Sequence, residues 1–251
     1  MAFLALPTLS IPLLKVPLLL GNVLCTYHGM SPPRAPATAG ELKRIGSTPD
    51  FLSNSRVPEL VKGSAAVAKL LLCGVALTEA TVLLAQQFPS PLSDCILTNL
   101  LPPGKSPSLR LTALSALACA LGIAGGSIRA WCHRSLGQFF TWEVAVRDDH
   151  QLITSGPYLI ARHPSYTGWV FLMVGNFTLL ATEGSYFTEA GLWGTMAGKV
   201  VACSVMGYLS WVTINLIKRT ASEDEILRKE FGAQWNEWEM KTPYRLIPFV
   251  Y

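Results

Sequence analysis

Charge is scarce in this sequence of 251 residues. Lys, Arg, Asp and Glu together make up 14% of it, where a soluble domain carries about 25%. Half of the residues are apolar, and the mean hydropathy is positive. That balance excludes an ordinary water-soluble domain and points to lipid as the solvent. The net charge of +4 is small and spread along the chain, which leaves no footprint for nucleic acid. Histidine is rarer still, with four residues and no HExxH, so a zinc protease of that type is excluded. No GxSxG marks the nucleophile of a serine hydrolase. The six cysteines, Cys25, Cys73, Cys95, Cys119, Cys132 and Cys203, contain no CxxC pair. They lie mostly in or beside apolar runs and read as small buried hydrophobes, not as a zinc site or a disulfide framework. The glycines of LGIAGGS sit inside an apolar run with no strand before them, so they do not make a dinucleotide-binding turn.

What the chain does have is apolar length. Five runs approach the roughly 20 residues needed to cross a bilayer core: Phe3 to Leu24, Ala65 to Phe88, Leu109 to Ile128, Pro164 to Thr182 and Thr195 to Ile217. The first is the least regular, interrupted by Pro7, Pro12, Lys15 and Pro17; it fits a kinked or interfacial helix as well as a span. The small residues of LGIAGGS suit close approach between membrane helices. Lys69, Glu79 and Asn176 are the main polar exceptions within the runs and read as packing or snorkelling groups.

Basic residues test this layout independently. Arg34, Lys43, Arg44, Arg56 and Lys62 follow the first run, and Lys105 alone follows the second. Arg129, Arg134, Arg147 and Arg162 lie between the third and fourth runs, and none between the fourth and fifth. The tail carries Lys218, Arg219, Arg228, Lys229, Lys241 and Arg245. The alternation follows the positive-inside rule and predicts that the loop 129–163 and the tail face the cytoplasm.

Two polar segments therefore share one side. In SGPYLIARHPSYTGW, Gly156 and Pro157 end any preceding helix, and Pro164 suits the first turn of the next. Arg162 and His163 then stand at a helix mouth whose unpaired N–H groups attract anions. Each residue taken singly also fits a membrane anchor, with arginine at headgroups and Tyr166 and Trp169 in the aromatic belt. In RTASEDEILRKEFGAQWNEW, Thr220 and Glu223 have capping-box spacing, which predicts a helix start there. Ile226, Leu227, Phe231 and Trp235 make an apolar stripe that suits the membrane surface or packing under the loop. Arg219 and Glu223, four residues apart, share a helix face.

Together the two segments resemble the isoprenylcysteine carboxyl methyltransferase family. Its pattern GxYxxxRHPxYxG is matched by Gly156, Tyr158, Arg162, His163, Pro164, Tyr166 and Gly168, and its R…EExxL…FG segment by Arg219, Glu223, Asp224, Leu227, Phe231 and Gly232. Asp224 stands where a second glutamate is usual, and Trp235 where a tyrosine is common. The resemblance covers roughly residues 109–249, including an upstream LGQFFTWEV. RHPxY alone is shared with phospholipid methyltransferases and, more loosely, with membrane sterol reductases.

The resemblance implies an all-α polytopic membrane enzyme of about five transmembrane helices, with N-terminal helices over 1–108 and a catalytic region over 109–251. It implies methylation of the C-terminal carboxylate of prenylated cysteine, farnesyl or geranylgeranyl, in CaaX-processed proteins of the endoplasmic reticulum membrane. S-adenosylmethionine would lie in a cytoplasmic pocket made by the loop before the fourth helix and the C-terminal helical segment. Carried over by position, its contacts are His150, Gln151, Leu152 and Ile153, then Tyr158, His163, Pro164, Ser165, Tyr166 and Glu223, with Arg219 facing the substrate carboxylate. Two other readings stand beside it: a lipid amine methyltransferase of the same superfamily, which would need a base, and a noncatalytic membrane adaptor or channel, which would line several spans with polar residues.

Overall fold

The computed structural model describes residues 12–32, 58–104, 107–140 and 150–250, with backbone alone for 58–62. Every element among them is helical. The α-helices are α1 (Lys15–Gly29), α2 (Pro58–Gln87), α3 (Pro91–Leu100), α4 (Ala113–Leu136), α5 (Pro164–Ala181), α6 (Tyr186–Glu189), α7 (Met196–Phe231) and α8 (Ala233–Lys241). Short 3-10 turns occur at Pro12–Leu14, Gly137–Phe139, Gly156–Leu159 and Leu192–Gly194. Among the described residues, three segments, Gly63–Gln87, Ala113–Phe139 and Met196–Phe231, are long and apolar enough to cross a membrane. The protein is thus an all-α integral membrane protein.

These three segments answer to the second, third and fifth expected runs. The fourth run is α5, which opens on Pro164 as expected; its polar first turn, PSYT, lowers its hydropathy and keeps it outside that set. The first run differs more. Within the described residues its helix begins at Lys15, after the turn at Pro12–Leu14, and continues past Leu24 to Gly29. Pro17 falls in the first turn, where a missing N–H breaks no helical bond. Helix α3, in the loop between the second and third runs, is an addition: the Ser90 hydroxyl accepts from the backbone N–H of Ser93 at 3.1 Å, and Pro91 opens the helix.

A larger correction concerns the tail. No helix starts at Thr220. Helix α7 runs unbroken to Phe231 and ends at Gly232, whose φ of +50° suits glycine. The Thr220 hydroxyl donates back to the Ile217 carbonyl at 2.8 Å, and Glu223 caps nothing. With no glycine or proline between residues 208 and 231, the capping-box pair lacked a break to act on.

The chain forms two compact units. The first comprises residues up to Tyr27, Val67–Ala124 and Phe171–Leu209. Its apolar core includes Val16, Leu19, Ala76, Ala80, Val82, Leu83 and Cys119. Buried polar groups pin its helices. The Lys15 ammonium, fully buried, pairs with Glu79 and donates to the carbonyls of Gly184 (2.8 Å) and Arg110 (3.1 Å). Glu79 also accepts from the backbone N–H of Tyr186 at 3.0 Å. The partner of Glu79 is therefore the lysine that interrupts the first run. Asn176 accepts from the Asn22 amide at 3.2 Å and donates to the Thr26 hydroxyl at 3.0 Å, while Lys69 lies over the Tyr27 ring. These contacts account for the polar exceptions as helix packing. A Cβ on Gly175 would lie 2.5 Å from the Ala118 carbonyl and 2.7 Å from the Gly122 nitrogen, so the small residues do serve close approach.

The second unit comprises residues 28–66, Gly125–Val170 and Ser210–Tyr251. It is built on Cys132, Tyr158, Trp235 and Trp238, with Leu152, Ile153, Leu227 and Phe231 packed against them. Leu227, Phe231 and Trp235 of the tail's apolar stripe thus pack against the loop residues Leu152, Ile153 and Tyr158. Cys73, Cys119 and Cys132 are buried as expected, but Cys95 and Cys203 are exposed. The basic residues at 34, 43, 44 and 56 and the segment 141–149, with Glu143 and Arg147, lie outside the described residues.

Candidate functional site

Both motif segments fall in the second unit. Pro164 begins α5, and a Cβ on Gly168 would lie 2.7 Å from the carbonyl of Gly125, so the start of α5 is held closely against α4. Arg129 of α4 supports that mouth: its Nη1 donates to the carbonyl (3.1 Å) and hydroxyl (3.0 Å) of Ser165, and its Nε to the Gly29 carbonyl (2.7 Å). From the other side comes the C-terminal segment. The backbone N–H groups of Arg162 and His163 donate to the carbonyls of Tyr244 (2.9 Å) and Arg245 (2.8 Å), and the Thr167 hydroxyl donates to that of Leu246 (2.7 Å).

Helix α7 completes the arrangement. Glu223 is a node: one carboxylate oxygen accepts from the Tyr166 hydroxyl at 2.6 Å and from Arg219 Nε at 2.8 Å, and the other lies 3.3 Å from His163 Nδ1. Asp224, one residue on, accepts from Arg162 at 3.2 Å and from Arg245 at 2.9 Å through one oxygen. Its other oxygen lies 2.9 Å from His163 Nε2. Arg162 Nη1 also donates to the carbonyls of Thr242 (3.1 Å) and Pro243 (3.0 Å). It works as a staple between the loop, α7 and the C-terminal segment.

Electrostatics follow from this geometry. His163 faces a carboxylate from each ring nitrogen, and a neutral imidazole has only one N–H to give. Burial alone would lower its pKa, but the hydrogen bonds to Asp224 and Glu223 outweigh burial and hold it above the ordinary histidine value. With His163 protonated, as a carboxylate on each ring nitrogen requires, four cations, Arg162, His163, Arg219 and Arg245, meet two carboxylates, Glu223 and Asp224, and positive charge is in excess. Glu239, 3.7 Å from Arg162, is itself paired with Arg228 at 2.6 Å. A mostly buried cluster with surplus positive charge is suited to anionic ligands such as carboxylates. Burial beside Cys132 pushes the Tyr158 hydroxyl well above its ordinary value, so it stays neutral.

The residues expected at the site divide into two groups. His163, Tyr166, Arg219 and Glu223 come together in one hydrogen-bonded cluster, with Pro164 and Ser165 in the first turn beneath it. Tyr158, Leu152 and Ile153 belong to the adjoining apolar cluster, where the Tyr158 carbonyl accepts from Trp238 Nε1 at 3.1 Å. The His150 ring stacks on Phe139, with centroids 4.9 Å apart, and meets Phe231 at 5.7 Å. Gln151 is exposed. Sequence reasoning gave no site role to Asp224, Arg245 or Arg129. Asp224 had a signal, because it occupies a motif position; Arg245 and Arg129 had none, because their roles depend on long-range contacts.

Comparison with known proteins agrees with the motifs. Residues 117–190 match the isoprenylcysteine carboxyl methyltransferase (ICMT) family; the match includes the helix mouth but not the segment from Arg219 onward. The chain is 29% identical over 143 residues to a protein-S-isoprenylcysteine O-methyltransferase of Rattus norvegicus, covering 56% of this chain and 43% of the relative. It is 27% identical over 176 residues to a probable protein-S-isoprenylcysteine O-methyltransferase of Oryza sativa subsp. indica, covering 69% of this chain and 82% of the relative. A third relative, protein-S-isoprenylcysteine O-methyltransferase B of Arabidopsis thaliana, is 28% identical over 130 residues, covering 51% of this chain and 56% of the relative. The chain thus spans less than half of the rat relative and most of the rice one.

Proposed function

On the premise of its similarity to the isoprenylcysteine carboxyl methyltransferase family over residues 117–190, we propose that the chain methylates the C-terminal carboxylate of prenylated cysteine, with S-adenosylmethionine as donor. The observation that carries the reading is the Glu223 node, where Tyr166 and His163 of the first motif meet Arg219 of the second. Two segments that singly fit membrane anchoring converge instead on a buried polar cluster at the start of a helix.

The residues present fit such a donor. Its carboxylate matches the surplus positive charge beside His163, and its ammonium matches Glu223, whose carboxylate accepts three groups and has room for about one more. S-adenosylmethionine supplies an electrophilic methyl group carried on a sulfonium. The chain's own residues then bind and orient. A peptide α-carboxylate has a pKa of about 3.5, so it is already ionised at neutral pH and needs no general base. The task is to bring this anion into line with the methyl group, which is catalysis by proximity and orientation. Arg219, fixed by its bond to Glu223, presents positive charge for the substrate carboxylate. Tyr166, stacked with the His163 ring at a centroid distance of 5.8 Å, offers an aromatic face to a cation.

The active side is the cytoplasmic face of the endoplasmic reticulum membrane in this reading, and the charge alternation of the loops supports that orientation. The contacts of His150, Gln151, Leu152, Ile153 and Tyr158 with the donor belong to the same proposal, within a catalytic region over 109–251. A water-soluble donor and a lipid-bearing acceptor can meet only near a bilayer surface, which accounts for polar chemistry at the mouth of an apolar helix. The test is product analysis: detergent-purified protein incubated with S-adenosylmethionine and N-acetyl-S-farnesylcysteine, with the methyl ester detected by mass spectrometry. Absence of the ester in a protein that binds the donor contradicts the assigned acceptor.

A further inference from the structure

We propose that Asp224 is a positioning residue: it holds the imidazole of His163 as an imidazolium, with Nδ1–H turned to Glu223, and so sustains the positive surplus that receives an anionic ligand. Asp224 need not touch that ligand. Its side chain is 6% exposed, and both of its oxygens are engaged, one by His163 at 2.9 Å and the other by Arg162 and Arg245.

The argument is one of valence and placement. A carboxylate accepts and cannot donate. Glu223 on Nδ1 and Asp224 on Nε2 can both be satisfied only when both nitrogens carry protons. Arg162 and Arg245, bound to the far oxygen, fix the carboxylate plane and leave the near oxygen aimed at the ring. Asp224 is also one methylene shorter than the glutamate usual at this place in the related family, and its reach is set by those two arginines. The groups facing His163 are Glu223, Asp224 and, through Glu223, Arg219, all from α7; Tyr166 from α5, the helix that follows it; Arg162 before it; and Arg245 from the C-terminal segment. Without Asp224, Glu223 alone would face the imidazole among three arginines, and the proton would be held less firmly.

The consequence is an alkaline limit. A carboxylate nucleophile requires no base, so nothing in the proposed reaction calls for loss of a proton. A histidine whose pKa is raised on folding contributes stability that is fully present below its unfolded value, about 6.5. That contribution is lost as pH rises through the folded value. Loss of the proton also removes part of the excess positive charge.

The experiment measures thermal unfolding of the full chain in detergent between about pH 6 and 10, alongside kcat/KM for methyl transfer in membranes. The wild type should lose stability through one alkaline limb, and His163→Gln should abolish that limb. Asp224→Asn should move it down by about 1 pH unit, and Asp224→Glu should restore it toward the wild type. Should Asp224→Asn fail to accumulate, Asp224→Ser is the second neutral replacement, and the profile in membranes needs no purified protein. Parallel curves for wild type and His163→Gln, or a limb that Asp224→Asn leaves in place, overturn the proposal. The catalytic arm rests on the methyltransferase reading, but the unfolding arm does not. A His163-dependent limb without methyl transfer would remove the function and keep the positioning role; methyl transfer without the limb would do the reverse.

Discussion

His163 Nε2 and Asp224 Oδ1 lie 2.9 Å apart, although 61 residues separate them in the chain. That contact and the adjacent Glu223 node join two motifs whose members, taken one at a time, read as membrane anchors. Side chains that serve only to anchor a helix end face headgroups. Here they face one another, and the histidine is buried.

Glu223→Gln preserves shape and removes charge. Arg219 and His163 then lose a charge-assisted partner worth about 1.5–3 kcal/mol each, and the proposed ammonium contact goes with it. The expected result is a loss of S-adenosylmethionine affinity of about 10- to 100-fold, read by isothermal calorimetry. Unchanged affinity contradicts the placement of the donor.

Arg219→Ala should lower kcat/KM for a prenylcysteine acceptor by about 100-fold or more, since truncating one side of a buried charge pair costs about 2–5 kcal/mol. Donor affinity should fall by much less. Arg219→Lys should recover only part of the rate, because a point charge does not replace a guanidinium fork. Equal loss of both functions in Arg219→Ala contradicts a role toward the acceptor.

Lys15 and Glu79 offer a test of the first unit. Either Lys15→Met or Glu79→Gln alone should destabilise the protein by about 3–5 kcal/mol, because each leaves a buried charge or its partner uncompensated. The double variant should be markedly less destabilised than the sum of the two. Thermal unfolding in detergent measures the cycle, and additive effects contradict the pairing.

Gly168→Ala places a Cβ 2.7 Å from the Gly125 carbonyl. Backbone cannot yield as a side chain can, so the expected cost is about 1–3 kcal/mol. It should appear as a lower unfolding midpoint together with reduced methyl transfer, since the start of α5 carries Tyr166 and directly follows His163. Gly74→Ala, where a Cβ meets nothing within 4 Å, is the control.

Much of this was legible locally. Pro164 marked the helix start because proline fixes φ and lacks an N–H, properties that depend on no distant residue. The pairing of Arg219 with Glu223 followed from helical spacing alone. Lys15 was not legible in the same way: a lysine in an apolar run signals an interruption unless its partner is known, and Glu79 lies on another helix. Thr220 misled for the opposite reason. Its local pattern was genuine, but a capping box acts only where the helix already ends, and the continuous α7 withheld that end until Gly232. Asp224 occupied a recognised motif position, yet its function depends on Arg162, His163 and Arg245 converging from two other segments.

The central claim is tested most directly by transfer of a radiolabelled methyl group from S-adenosylmethionine by the purified protein, with N-acetyl-S-farnesylcysteine and phosphatidylethanolamine offered separately. The account predicts label on the farnesylcysteine that mild base releases as methanol, the signature of a carboxyl methyl ester. Base-stable label on the lipid amine, with none on the farnesylcysteine, would contradict it.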